Sequence, residues 1–180
     1  MKGKILKGKN IILRPIKLSD APNYVRWFKD KEVTKFLTVK PLTLLVEQKW
    51  IRSSWRNKNE VNWALEIFDK HIGGTGLRLD PQNKTGNWGI VIGEKKEWGK
   101  GCGTEVGKIC LDFVFKDLKY NRFDLEVFMS NKRALKVYKK IGFQLEGVKR
   151  KSFLNTITRR YEDIGIMSIL KEEWLINKII

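Results

Sequence analysis

The chain has little of the chemistry from which metal centres and charge-relay triads are built. Its 180 residues include one histidine, His71, and two cysteines, Cys102 and Cys110. A single imidazole leaves a histidine-based metal site or a Ser-His-Asp arrangement almost nothing to work with. His71 stands next to Asp69-Lys70, at an expected turn. The cysteines lie eight apart, with no CxxC pair. That argues against a zinc ribbon or disulfide framework and favours a reducing compartment, the cytoplasm. Along one helix their Cα atoms would also be too distant to bridge. No metal is expected. No apolar run reaches the roughly 18 residues of a membrane span. No long apolar stretch follows the basic start "MKGKILKGKN", so no signal peptide is expected. Repeats, low-complexity segments and linkers are missing too. One domain spanning 1–180, monomeric or homodimeric, is expected.

Acidic residues are the other shortage: 20 Asp and Glu against 37 Lys and Arg, a net charge of +17. Such a surface attracts polyanions, among them nucleic acid, ribosomes and phosphate-bearing cofactors. It is equally the solvated face of a lysine-rich protein. The imbalance peaks between residues 131 and 160, with ten Lys or Arg and one acid, Glu146.

What is present reads as a mixed α/β domain in the order βααβββαβαββ. "NIILRPI" is a first strand, and Ser19-Asp20 opens a helix over 21–29. "KFLTVKPLT" is a loop, and 44–55 is helical with Thr43 as N-cap. "VNWALEIF" and "HIGGTGLRL" pair around Asp69-Lys70, and "GNWGIVIG" is the next strand. Helices are expected over 103–118 and 131–141, with "RFDLEVF" between them. "FQLEGVKR" and "YEDIGIMSIL" are the closing strands.

The stretch "EWGKGCGTE" holds Gly99, Gly101 and Gly103 between a strand and a helix. Free N–H groups and the dipole at a helix start favour an anion, and glycines let phosphate oxygens approach the amides. Neither GxxxxGK[ST] nor GxGxxG is present, since a third glycine would fall at Val106. Lys100 adds a cation. A plain turn into a helix is the alternative at this point. Cys102 stands beside Lys100 at the helix start, which is expected to lower its thiol pKa.

A second segment, "NKRALKVYKKIGF", decides between these. Asn131 opens a helix, Tyr138 lies two turns along on the same face, and Gly142 ends it. Together the two segments resemble the acetyl-CoA site of the GNAT superfamily of N-acetyltransferases. That family's loop, Gln/Arg-x-x-Gly-x-Gly/Ala, is matched by Trp98-Gly99-Lys100-Gly101-Cys102-Gly103, with Trp98 departing from the pattern. Thr104 and Glu105 follow it. The second signature is matched by Asn131, Ala134, Tyr138, Gly142 and Phe143. "LRP" at residues 13–15, Tyr161, Asp163 and "LKEEW" resemble the RimJ/RimL branch.

The resemblance implies a GNAT-like fold: a central, mostly antiparallel twisted sheet of six to seven strands with about four helices. It implies acetyl-CoA as co-substrate and a primary amine as acceptor, joined in a ternary complex. Pantetheine would lie along Ile90-Val91-Ile92, whose backbone polarises the thioester carbonyl. The pyrophosphate would lie in the loop 98–104, with Lys100, Lys132 or Arg133 nearby. Asn131 would hold pantetheine or cap its helix, and Tyr138 would protonate the leaving thiolate. The base stays open. Asn87 stands where related sequences carry a strand glutamate and cannot take a proton. Glu126, twelve residues before Tyr138, and Glu66 are the carboxylate candidates. For the acceptor, a protein N-terminus, as in ribosomal proteins, fits the basic early helices better than a polycation. Small-molecule acceptors, a longer acyl donor and a non-catalytic nucleic-acid module drawing on "VKRKSF" are the alternatives. No helix-turn-helix or RNA-recognition aromatic motif supports the last.

Overall fold

A computed structural model describes residues 3–38, 42–155 and 159–179. Eight strands form one sheet: β1 Leu6–Lys7, β2 Ile12–Pro15, β3 Glu60–Ile67, β4 Lys70–Asp80, β5 Thr85–Ile92, β6 Arg122–Phe128, β7 Gln144–Asn155 and β8 Arg160–Leu170. Their spatial order is β1-β2-β3-β4-β5-β6-β8-β7. Every neighbouring pair is antiparallel except β5 and β6. Among the described residues six α-helices accompany them: α1 Ala21–Lys29, α2 Lys31–Thr34, α3 Leu44–Ser54, α4 Cys102–Asp112, α5 Lys132–Lys140 and α6 Lys171–Ile179. The expected mixed fold is therefore present. It is extended by a two-residue edge strand and the one-turn α2, both too short to read in sequence, and by α6. The early loop 35–43 lies partly outside the described residues.

Two apolar clusters place the helices on opposite faces. Trp63, Trp88, Val106, Cys110, Phe123, Leu125 and Met167 belong to the larger one, under α4 and α5. Ile16, Ala21, Tyr24, Trp27 and Ile51 form the smaller, under α1 and α3. Strand β5 serves both: Ile90 and Ile92 pack on the first, Val91 on the second. Helix α4 approaches closely because residue 107 is glycine. A Cβ there would meet Ile141 Cδ1 at 2.4 Å and Trp88 Cη2 at 2.8 Å.

Arg14 staples the smaller layer. Its guanidinium donates to both carboxylate oxygens of Asp20, at 2.9 and 2.8 Å, and to Glu66 at 2.7 Å. Asp20 also accepts the Lys17 N–H. His71, expected in a turn, is the buried second residue of β4. One ring nitrogen lies 3.1 Å from Asn23 Nδ2 and the other 2.9 Å from the Gly73 carbonyl. The carbonyl can only accept, which fixes the Nε2–H tautomer, and burial holds the imidazole below its ordinary pKa.

Candidate active site

Strands β5 and β6 run parallel but pair at only three positions, Thr85 with Arg122, Gly86 with Phe123 and Asn87 with Asp124. Beyond Asn87 they part. The Gly93 N–H bonds the Ile72 carbonyl, and ladder alternation then turns the main-chain groups of Trp88, Ile90 and Ile92 toward the opening. Asn87, at the apex, donates from its side chain to Asp124 Oδ1 at 2.7 Å. In place of a strand glutamate stands a hydrogen bond that closes the fork.

The apex is packed with rings. Trp88 stacks on Phe123 and Phe143, and Tyr138 meets Trp88 edge-on at 5.4 Å. The indole N–H of Trp88 donates to Thr75 Oγ1 at 2.7 Å, and that hydroxyl donates to the Gly89 carbonyl. Trp88 is thus held in place beneath Tyr138. Burial pushes the Tyr138 phenol up to about 12, so it is a proton donor at neutral pH.

Above the fork lies a cleft of about 690 Å³. Of the residues singled out in sequence, Ile90, Val91, Ile92, Trp98, Gly99, Gly101, Cys102, Gly103, Thr104, Glu126, Asn131, Arg133 and Tyr138 all line it. Lys100 does not: its ammonium lies 3.3 Å from Glu97. Glu66 does not either, since Arg14 holds it on β3. Trp88, Glu32, Phe36, Phe128 and Phe153 also line the cleft and had no motif to betray them.

The loop has the shape the glycines require. Gly99 and Gly101 sit at φ +79° and +85°, where a side chain is strained, and nothing stands within 4 Å of a Cβ built on either. The first intrahelical bond runs from the Glu105 N–H to the Gly101 carbonyl. The N–H groups of Cys102, Gly103 and Thr104 therefore have no partner within the helix. The Glu105 carboxylate accepts the N–H groups of Asn10 and Ile11, at 2.6 and 3.0 Å, tying the loop to the N-terminal segment. Burial raises the Cys102 thiol, contrary to the lowering expected from Lys100, with Glu97 adding in the same direction.

Trp98, the departure from the loop pattern, packs against the smaller apolar cluster and has two further contacts. Its indole N–H donates to the Ile92 carbonyl at 2.7 Å, and the Arg133 guanidinium lies over its ring at 4.0 Å. A guanidinium from α5 thus stands by the loop although position 98 is not Gln or Arg. Asn131 caps α5, its Oδ1 accepting the Ala134 N–H at 3.1 Å, while it lines the cleft.

A forked sheet edge, free helix-start amides and an adjacent guanidinium suit a long, partly extended molecule that carries phosphates. CoA is such a molecule, and the cleft fits it. Comparison with known proteins agrees. Residues 10–144 match the model of the acetyltransferase (GNAT) domain. The uncharacterized N-acetyltransferase p20 of Bacillus licheniformis is 27% identical over 94% of this chain and 97% of its own length. The alpha/beta-tubulin-N-acetyltransferase 9 of Homo sapiens is 24% identical over 97% of this chain and 88% of its own. The spermidine N-acetyltransferase of Vibrio cholerae, solved with CoA and spermine, superposes with a TM-score of 0.85 at 21% identity. That match covers 92% of this chain and 98% of the other, and at that identity it speaks for the fold alone. The chain belongs to the GNAT family and is an acyl-CoA-dependent N-acetyltransferase.

Proposed function

We propose that the enzyme acetylates the α-amine of a protein N-terminus, in the manner of the RimJ/RimL branch, by direct transfer in a ternary complex in the cytoplasm. The transfer chemistry rests on the fork between β5 and β6, with the loop and Tyr138 on one cleft, and the choice of acceptor on the basic early segment. Free amides at 102–104, with Arg133 beside them, hold the pyrophosphate. Main-chain groups of Trp88, Ile90 and Ile92 receive pantetheine as an added strand, and an N–H among them polarises the thioester carbonyl. Tyr138 gives its proton to the departing thiolate. Asn131 has its Oδ1 committed to the helix cap, so its side-chain N–H₂ is what it offers to pantetheine.

Glu126, on β6, is the carboxylate assigned to take the ammonium proton. It forms an ion pair with Lys149, which has to yield when the amine arrives. Net charge of +17 favours docking on an RNA-bound substrate such as a ribosome. The test is steady-state acetylation of short peptides bearing free N-termini. Turnover that falls about 100-fold in Glu126→Gln, with acetyl-CoA affinity kept, supports the assignment. Undiminished turnover in Glu126→Gln removes it from the mechanism.

A further inference from the structure

The walls of the cleft divide into two chemistries. One part is backbone amide and cation, contributed by the loop 99–104 and by Arg133 of α5. The other is mainly apolar: Val33 of α2, Phe36 and Leu37 just beyond it, Phe128 of β6, Phe153 of β7 and Ile164 of β8, with Glu32, Thr38 and Glu126 as its polar members. The three phenylalanines form a chain. Phe36 and Phe128 have ring centroids 6.0 Å apart at 45°, and Phe128 meets Phe153 edge-on at 5.1 Å. Phe128 is buried, whereas Phe36 and Phe153 keep part of their surface open. Three elements distant in sequence bring their rings together at one opening. Asn155, at the end of β7, ties this wall to the early helices by donating to the Lys35 carbonyl at 3.2 Å. The phosphates of a CoA ester have no use for such a wall.

Charge narrows the choice further. The carboxylates on the cleft are Glu32, Glu97 and Glu126. Each already has a lysine: Lys95 at 2.7 Å from Glu32, Lys100 at 3.3 Å from Glu97, and Lys149 on Glu126. A polyamine needs several uncompensated anions along its length, and here each would first have to displace a lysine. An amine with one positive charge needs to disturb only one such pair.

Resting on the acetyltransferase reading above, we infer that the acceptor is a monocationic primary amine joined to a large apolar or aromatic group, which seats against Phe36, Phe128 and Phe153. Such an amine comes from two sources. It is either the first residue of a protein that begins with Met, Leu or Phe, or a free arylalkylamine. The chemistry recognised at the wall is the same.

The experiment measures thiol release from acetyl-CoA with five acceptors: peptides beginning Met-, Phe- or Ser-, 2-phenylethylamine, and spermidine. Acetyl-CoA binding is measured first by calorimetry, so that failure of the enzyme reading is seen separately, as absence of binding. Burying a large apolar side chain is expected to favour the Met- and Phe- peptides over the Ser- peptide at least about tenfold in kcat/KM, with spermidine lower still. If 2-phenylethylamine matches the best peptide, the acceptor is a small amine. If only peptides react, it is a protein N-terminus. Either result supports the apolar wall. Preference for spermidine or the Ser- peptide overturns it, as does binding of acetyl-CoA with no turnover of any apolar amine. Phe36→Ala, at a partly exposed position, should reduce the preference for the apolar first residue about fivefold or more while leaving acetyl-CoA affinity unchanged. A preference that survives Phe36→Ala and Phe153→Ala together would likewise overturn the inference.

Discussion

Tyr138, proposed above as the acid, also packs against the larger apolar cluster. Its ring meets Trp88 edge-on and Phe143 at a tilt, and the residue lines the cleft. Phenylalanine would keep the packing and lose the proton. Tyr138→Phe should therefore lower kcat by about 100-fold with the Kd for acetyl-CoA unchanged; calorimetry and initial rates on the same preparation check this, and an unaltered kcat would dismiss the tyrosine as an acid. Glu47 makes a different prediction. It is 2% exposed on α3, and burial pushes its carboxyl up to about 7. Between the ordinary value of 4.5 and that value, the folded chain holds a proton the unfolded chain has lost. Stability due to this group is full below the lower value and is lost as pH rises through the upper one. Glu47→Gln should thus raise Tm by several degrees at pH 8, for a gain on the order of 2 kcal/mol, and give none near pH 4.5. Thermal melts across that range decide it; an equal gain at both pH values would contradict the assigned burial. Arg14→Ala strands two carboxylates, Asp20 and Glu66, and should cost about 3–5 kcal/mol in a denaturant titration. A loss below about 1 kcal/mol would mean that water replaces the guanidinium without difficulty.

At the scale of elements, the fork in the sheet depends on what flanks it. Asn87 and Asp124 close the apex, and the rings of Trp88, Phe123 and Phe143 fill the space behind it. The loop then turns into α4 through two left-handed glycines. Most of this was legible in the sequence, because glycine spacing and a capped helix leave a local signature. Strand and helix positions followed from periodicity to within a few residues, and the residues of both motifs converge on one cleft. What stayed hidden was whatever depends on pairing at a distance. Glu66 reads as a candidate base in sequence, but Arg14, fifty-two residues away, holds it. Trp98 looked like a gap in the loop pattern until Arg133 was found lying over it. A neighbouring lysine predicts a lowered Cys102 thiol, yet burial governs it. The phenylalanine wall is assembled from three separate elements and leaves no pattern in any of them. A cut through the Trp98–Arg133 pair tests the guanidinium beside the loop: Trp98→Ala should weaken acetyl-CoA binding about three- to tenfold through loss of ring–guanidinium attraction and of the bond to Ile92. Unchanged affinity would place Arg133 outside the cofactor site.

For the whole molecule, two helical layers on opposite faces of one sheet hold a cleft whose walls suit different partners. The loop and α5 present amides and cations; α2, β6, β7 and β8 present rings and methyls. The surplus of positive charge makes non-specific attraction to polyanions a competing source of any CoA affinity, and salt separates the two. The measurement to make is therefore a calorimetric titration with acetyl-CoA at about 0.2 M salt, where that background is screened, on the natural chain and on Gly101→Val. A β-branched residue at φ +85° is strained even though the space in front of it is open. One-site micromolar binding by the natural chain, weakened at least tenfold in a folded Gly101→Val protein, is the expected result. Binding that fades with salt and ignores Gly101 would mean that the loop is only a turn into a helix, and that the cleft does not hold the cofactor where the fork and the glycines place it.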